Sequence, residues 1–517
     1  MKRIFLFLTA SLVVSHLSFA QNQDMRNNMN KLGMAYSAIT QLYVDNTDNA
    51  KLVEDAILGM LKELDPHSSY TNAEETRRMN EPLEANFDGI GIQFNMFNDT
   101  LYIVQVLSGG PSEKVGLIAG DRIIMVDTNV VAGVKMNSTD IQKLIRGKKG
   151  SEVMITIKRS GFIDPLQFKI IRDKIPVTSI DACYMADPQT AYIRLARFAN
   201  TSIEEFEKAF EDLKKNGAKN LILDLQSNGG GFLHIAYALA DEFLGNGKLI
   251  VYTQGNKSNR SDAVATSKGM FETGKLIILV DQASASASEI VSGAIQDWDR
   301  GVIVGRRTFG KGLVQRPIEL PDSSMIRLTV ARYYTPSGRN IQKPYEKGNI
   351  EAYNHDLIDR YNKGELMSAD SIHFPDSLKY STLLNKRTVY GGGGIMPDVF
   401  IPLDSTRNTD YHFNLVRYGV INREAMGYLD RNRAELQNKY PNINKFKSNF
   451  VITDSILKEL TDMAEAEKIQ FNEEQYNKSK ELIALQLKAL IARDLFDTSE
   501  YYKIINDRND SYLEALS

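Results

Sequence analysis

Apolar residues recur at Leu52, Ala56, Met60 and Leu64, four positions apart as on one helical face, with Asn46-Thr47-Asp48 as a start signal and Asp65-Pro66 as a stop. Residues 21–85 therefore read as a helical region. From Asn86 the period shortens, and strands are expected at Gly89–Phe94, Leu101–Val106, Arg122–Val126, Glu152–Lys158 and Leu166–Ile171, with one helix at Ser138–Ile145. That is a compact β module over 86–173. Beyond it, helix and strand alternate: an amphipathic helix Ser202–Lys215 closed by Gly217, continuous apolar runs at Asn220–Leu225 and Lys275–Asp281, and further strands at Val302–Gly305, Ile326–Tyr334 and Asp398–Pro402. Apolar runs without alternation suit strands buried on both faces, so 174–404 reads as an α/β core with a polar insertion at about 342–387. From 405 to 517 helical periodicity dominates, as at Tyr476–Phe496, and the apolar face there reads as internal packing.

Composition changes this picture little. A chain of 517 residues, 43% apolar and 25% charged, fits about three to four ordinary globular domains. Basic and acidic residues number 62 and 65, which argues against nucleic acid as a partner. The first twenty residues do matter: Lys2-Arg3, an apolar stretch from Ile4 to Val14, and Ser18-Phe19-Ala20 form the pattern of a cleaved secretory signal peptide. Export to the periplasm or cell envelope is the expectation. The single cysteine, Cys183, excludes an intramolecular disulfide.

Candidate chemistry is narrow. His67, His234, His355, His373 and His412 are scattered without ligand spacing, so no metal and no cofactor is expected. His234 reads as a satisfied polar residue on a helix. Gly305–Gly312 (GRRTFGKG) nearly matches a phosphate loop, but Gly312 replaces the magnesium-binding hydroxyl and extended chain, not a helix, follows. What remains is Lys311 held between two glycines after a strand. Asp281–Ile290 (DQASASASEI) sets serines at a strand-to-helix turn, where a helix N-terminus favours a developing oxyanion. A second turn, Asp224–Gly231 (DLQSNGGG), follows the neighbouring strand. Spacing leaves the choice among Ser284, Ser286 and Ser288 open.

In this order, LDPHSSY (64–70), FDGIGI (87–92), DLQSNGGG, SASASE, GRRTFGKGLVQ, ARYYTPSGRNIQ and GGGGIMPD (391–398) closely resemble the carboxy-terminal processing peptidases, or tail-specific proteases. The resemblance spans about Leu64 to Pro402. It implies a multidomain α+β protein: a crotonase-like α/β peptidase core with an inserted PDZ β-module and helical N- and C-terminal regions. It also implies a serine endopeptidase with a Ser/Lys dyad, here Ser286 and Lys311, with Gln315 beside the lysine and backbone N–H groups of Gly230 and Ala287 as the oxyanion hole. The family's arginine and proline in the glycine turn are Gln226 and Gly229 here. A neutral Lys311 needs a pKa lowered by burial, and Glu289 is expected to serve structure or solvent contact. In the PDZ module, Gly89-Ile90-Gly91-Ile92 would hold a substrate's terminal carboxylate, and Ile141 and Leu144 would line a pocket for its last apolar side chain. Expected partners are proteins with exposed apolar C-termini, an envelope adaptor protein and a second copy of the chain. Two rivals are a non-catalytic PDZ scaffold of the cell envelope and a crotonase-like acyl-transfer enzyme acting on a small thioester.

Overall fold

The computed structural model describes residues 23–517 except Asn98 and Ser108; the expected signal peptide, 1–20, lies outside the described residues. Residues 23–42 form a helix whose side chains are almost all exposed. The next helix, Asn49–Lys62, is capped by Asp48, whose side chain accepts from Lys51 N–H. Its buried residue is Leu61, while Met60 and Leu64 are exposed. The expected face at Leu52, Ala56, Met60 and Leu64 is thus only half covered, Leu52 and Ala56 being half-buried.

Residues 86–176 fold around a six-stranded antiparallel sheet and a two-stranded ribbon. The strands Arg122–Val126, Glu152–Lys158 and Leu166–Ile171 and the helix Ser138–Ile145 coincide with the expected ones. Gly89–Phe94, read as one strand, is instead two, Asn86–Gly89 and Ile92–Phe97, which pair in different sheets. Gly91 at φ +77° makes the break between them.

The α/β core is built on a six-stranded sheet in the order Ile180–Met185, Thr190–Leu195, Asn220–Asp224, Leu276–Val280, Val302–Gly305, Val399–Phe400. All neighbours are parallel except the first pair. Helices Ser202–Lys215, Leu233–Asp241 and Ala287–Asp297 cover one face through Phe206, Phe210, Leu239 and Ile290. The other face, with Tyr184, Tyr192 and Ile222, is covered by Tyr512 from the chain's last helix, Asp510–Leu516. Both faces are therefore dry, as continuous apolar strands require.

A second sheet centres on Met325–Tyr334, which pairs with Leu313–Glu319 along one edge and with Ser69–Thr71 and Leu249–Gly255 along the other. The polar stretch 342–387 is built into the core: its helix Ile350–Asn362 buries Tyr353 and Arg360 against the loop that carries Lys311. The helices between Asp410 and Ile505 share one apolar core, including Leu415, Leu429, Phe446, Leu460, Leu487 and Ile491.

Candidate active site

Two strand-to-helix turns meet at the carboxyl edge of the parallel sheet. Asp281 joins them: its carboxylate accepts from Ser227 N–H (3.0 Å) and Oγ (3.0 Å) in the glycine turn, and from Ala283 N–H (2.9 Å) and Ser284 N–H (3.0 Å) in its own. Asn228 O closes the joint by accepting from Ala285 N–H at 3.0 Å and Ser288 Oγ at 2.8 Å. These bonds separate the three serines that sequence spacing left equivalent. Ser284 is fully buried with its hydroxyl on Leu225 O, and Ser288 is fully buried on Asn228 O. Ser286 is the one that opens into a cavity of about 790 Å³. Its backbone sits at φ 56°, ψ −110°, a conformation L-residues seldom adopt, held by the surrounding bonds at a strand-to-helix turn.

Lys311 lines the same cavity. Burial lowers the pKa of its amine; the charges of Glu289 and Asp65 act against that shift, and Arg327 adds to it. Its loop is held from behind by Glu289, which is completely buried. One carboxylate accepts from Ser286 N–H (2.8 Å), Thr308 Oγ1 (2.6 Å), Gly310 N–H (2.7 Å) and Lys311 N–H (2.9 Å). Of the two roles expected for Glu289, structure agrees with these bonds and solvent contact does not: burial raises its pKa to about 7, and it welds the serine turn to the lysine turn. Tyr333 adds a second weld, its hydroxyl donating to Ser286 O (3.2 Å) and Lys311 O. The insertion supplies a third. Gln342 Oε1 accepts from Gly312 N–H at 2.8 Å, Lys343 N–H donates to Gly310 O at 2.9 Å, and Arg360 donates to Arg307 O and Thr308 O. A Cβ at Gly312 would lie 2.7 Å from Gln342 N and one at Gly310 3.1 Å from Gly394 N, so these close approaches demand the glycines that flank the lysine.

Other expected site residues fall differently. Gln315 lines the cavity but donates to Thr329 Oγ1 at 3.2 Å, which in turn donates to Asp65, so among the described residues no hydrogen bond joins Gln315 to Lys311. None joins the Ser286 hydroxyl to the lysine amine either. Of the expected oxyanion pair, Gly230 is a correction: its N–H donates to Asn228 Oδ1 at 2.9 Å. A Cβ there would come within 2.9 Å of Ser286 Cβ and 3.0 Å of Ala287 N, so this glycine keeps the space beside the Ala287 N–H open. Ala287 N–H, in the first turn of its helix, donates to no described residue. His234 lines the cavity wall. His67, from LDPHSSY, meets Tyr353 OH at 2.8 Å, and burial together with the charge of Lys311 lowers its pKa to about 4.

In the β module, Gly89, Ile90, Gly91 and Ile92 are all buried. Ile90 O accepts from Ser112 N–H and Gly91 O from Leu107 N–H, pinning the loop under the 107–112 segment. Ile90 and Ile141 belong to the module's core and Leu144 packs against it, which corrects the expectation that Ile141 lines a ligand pocket. A branched apolar side chain at those positions is used to fill the domain.

The sequence profile of peptidase family S41 matches residues 189–351 and that of the PDZ domain residues 89–173. Residues 10–76 match the N-terminal domain of the activating protease CtpB, and 411–497 a family of unknown function, DUF8443. The chain is similar to a carboxy-terminal-processing protease of Bartonella bacilliformis, 38% identical over 343 residues, covering 65% of this chain and 78% of that protein. The carboxy-terminal processing protease CtpA of Bacillus subtilis is 34% identical over 348 residues, 67% of this chain and 73% of the relative. Among solved structures, the photosystem II D1 C-terminal processing protease shares 26% identity over 73% of this chain and 93% of its own, with a TM-score of 0.36.

Proposed function

This chain belongs to the carboxy-terminal processing proteases, serine-type peptidases of family S41 that carry a PDZ domain, and from that premise we propose that Ser286 and Lys311 form its catalytic dyad. Ser286 Oγ attacks the scissile carbonyl, and Lys311 Nζ takes the hydroxyl proton and returns it to the leaving amine. Ala287 N–H donates to the oxyanion, aided by the positive end of the Ala287–Asp297 helix. The observation that carries this reading is the joint one: the serine of SASAS whose side chain lines a cavity, Ser284 and Ser288 being buried on backbone carbonyls, shares that cavity with a lysine whose amine burial drives toward neutrality. The strained backbone at Ser286 favours catalysis over the scaffold reading, because a binding module has no use for it.

The finer parts of the reading follow. The protein is exported by Met1–Ala20 to the periplasm or envelope, and its PDZ domain presents the tails of envelope proteins to the cleft. Met79, Leu83, Phe232, Leu313 and Met325 line the cavity, which supports apolar residues near the cut. Ser286→Ala and Lys311→Ala should each abolish hydrolysis of an unfolded protein with an apolar C-terminus while thermal unfolding stays within a few degrees of wild type. Lys311→Arg should fail equally, since a guanidinium cannot serve as the base. Retained cleavage in Ser286→Ala would remove the reading.

A further inference from the structure

The cavity that holds Ser286 and Lys311 also holds two arginines, Arg197 and Arg327, neither of which forms an ion pair among the described residues. Arg197 stands beside Phe198, whose bridge to Gly231 places it at the glycine turn. Arg327 stands across from it on the Met325–Tyr334 strand, opposite Pro317 in register. Its guanidinium is held by neutral groups alone: Nη2 donates to Asn80 Oδ1 at 2.9 Å, and Nη1 approaches Thr71 Oγ1 at 3.3 Å and Met79 Sδ at 3.7 Å.

That set of partners is unusual within this protein. Five other arginines with a pKa lowered by burial, Arg300, Arg306, Arg307, Arg360 and Arg433, each feel a carboxylate that opposes the shift; at Arg327 no carboxylate does. A guanidinium removed from part of its water and given only neutral partners is incompletely compensated, and an anion delivered to it gains charge-assisted, bidentate hydrogen bonds. The one acidic residue on the cavity wall is Glu84, an exposed rim residue without an ion pair to either arginine.

We propose that Arg327, with Arg197 on the facing wall, is a specificity-determining subsite that binds a carboxylate of the substrate within the cleft, close to the scissile bond. This rests on the reading of the Ser286/Lys311 cavity as the peptidase site. The carboxylate comes either from the substrate's own C-terminus, in which case the cut falls a short fixed distance from the chain end, or from an Asp or Glu side chain flanking the cut. Asn80 and Thr71 keep the guanidinium aimed into the cleft, so the N-terminal segment 71–84 takes part in substrate choice.

The test uses the full-length protein and two sets of matched peptides: free acid against C-terminal amide, and Glu against Gln at each position within three residues of the cut. Wild type should favour the carboxylate member of one set by at least about tenfold in kcat/KM, as charge-assisted hydrogen bonds provide. In Arg327→Gln the ratio should fall to within about twofold, Arg327→Lys should keep an intermediate ratio, and Arg197→Gln should lower it. If Arg327→Gln fails to fold, Arg197→Gln and the loss of the wild-type ratio in high salt carry the test. No carboxylate preference in wild type, or a ratio unchanged in both arginine variants, overturns the proposal; a terminal-acid preference that survives them would be read elsewhere, by the PDZ domain. Calorimetric binding of the same pairs to Ser286→Ala separates the two questions. The preference persists there if the subsite is real, even if the dyad assignment is wrong.

Discussion

Glu289 shows how one side chain can decide both turns of a catalytic site. Four donors converge on its carboxylate, from Ser286, Thr308, Gly310 and Lys311, so the relative position of nucleophile and base depends on a single buried anion. In Glu289→Gln the amide nitrogen would confront Gly310 N–H if it took the place of Oε1, or Ser286 N–H and Lys311 N–H if it took that of Oε2, so at least one backbone N–H loses its acceptor. Leaving each such group unmatched should cost about 1–3 kcal/mol in unfolding free energy and lower kcat by at least about a hundredfold, measurable by denaturant titration and steady-state kinetics. The raised pKa gives a second signature. An acid that holds its proton to about pH 7 when folded and releases it near 4.5 when unfolded makes the native state lose stability as pH rises between those values. The loss is about 3 kcal/mol at most, and the slope should vanish in Glu289→Gln. For Lys311 the direction is opposite in consequence: its lowered pKa means that kcat/KM should rise with pH through a value below the ordinary 10.5, as the amine becomes neutral. Glu289 was visible in the sequence, one turn into the serine helix, but its whole role was not. The Ser286-x-x-Glu289 spacing marks the local half of that role, a capping box at the helix start, but nothing local marks the partners at Thr308, Gly310 and Lys311 further along the chain.

At the scale of elements, the strands and helices whose faces are buried by their own periodicity were legible with their exact bounds: Arg122–Val126, Glu152–Lys158, Ser138–Ile145, Ser202–Lys215 and Val302–Gly305. What periodicity misjudged was the stretch 342–387. It is polar and rich in Tyr, Asp and Lys, which reads as solvated insertion; in the fold its polar groups are used inward. Lys343, 5% exposed, lies 4.2 Å from the Phe309 ring centroid and 4.0 Å from that of Tyr353, with its amine on Asp356 at 2.9 Å. Tyr353 also meets His67 and Gln342 through its hydroxyl. The insertion helix is therefore the back wall of the lysine loop, and none of its residues lines the cavity of Ser286 and Lys311. Tyr353→Ala should destabilise the protein by about 3–5 kcal/mol, as large-to-small changes at buried aromatics do. Among molecules still folded, kcat should fall by about tenfold or more while KM moves little, because the lysine is displaced and the cavity wall is not. Comparable kcat in the variant would show that Lys311 keeps its place without the insertion.

For the whole molecule, the two ends of the chain behave in opposite ways. The C-terminal helices close on themselves and then reach back: Asp430 pairs with Arg122 of the PDZ domain, Asn509 donates to Gln226 at the foot of the glycine turn at 2.9 Å, and Tyr512 covers Tyr192. Gln226 stands where the family pattern has arginine, and here the C-terminal region supplies its partner. The N-terminal helix, 23–42, finds no such surface among the described residues. Met25, Met29, Leu32, Tyr36, Ile39 and Tyr43 follow one another at steps of four and three, the spacing of a coiled-coil seam, and each is between 38% and 66% exposed. A twenty-residue helix with an apolar stripe exposed is marginal in water on its own, and a partner along the stripe would stabilise it. The seam is self-complementary in kind, apolar with few charges along it, and the occupant we expect is a second copy of the chain. Leu32→Glu combined with Tyr36→Glu should then convert an oligomer into a monomer in sedimentation equilibrium, with the monomer's thermal unfolding of the peptidase core unchanged. A wild-type chain that sediments as a monomer at tens of micromolar would exclude the association and leave the stripe to another protein.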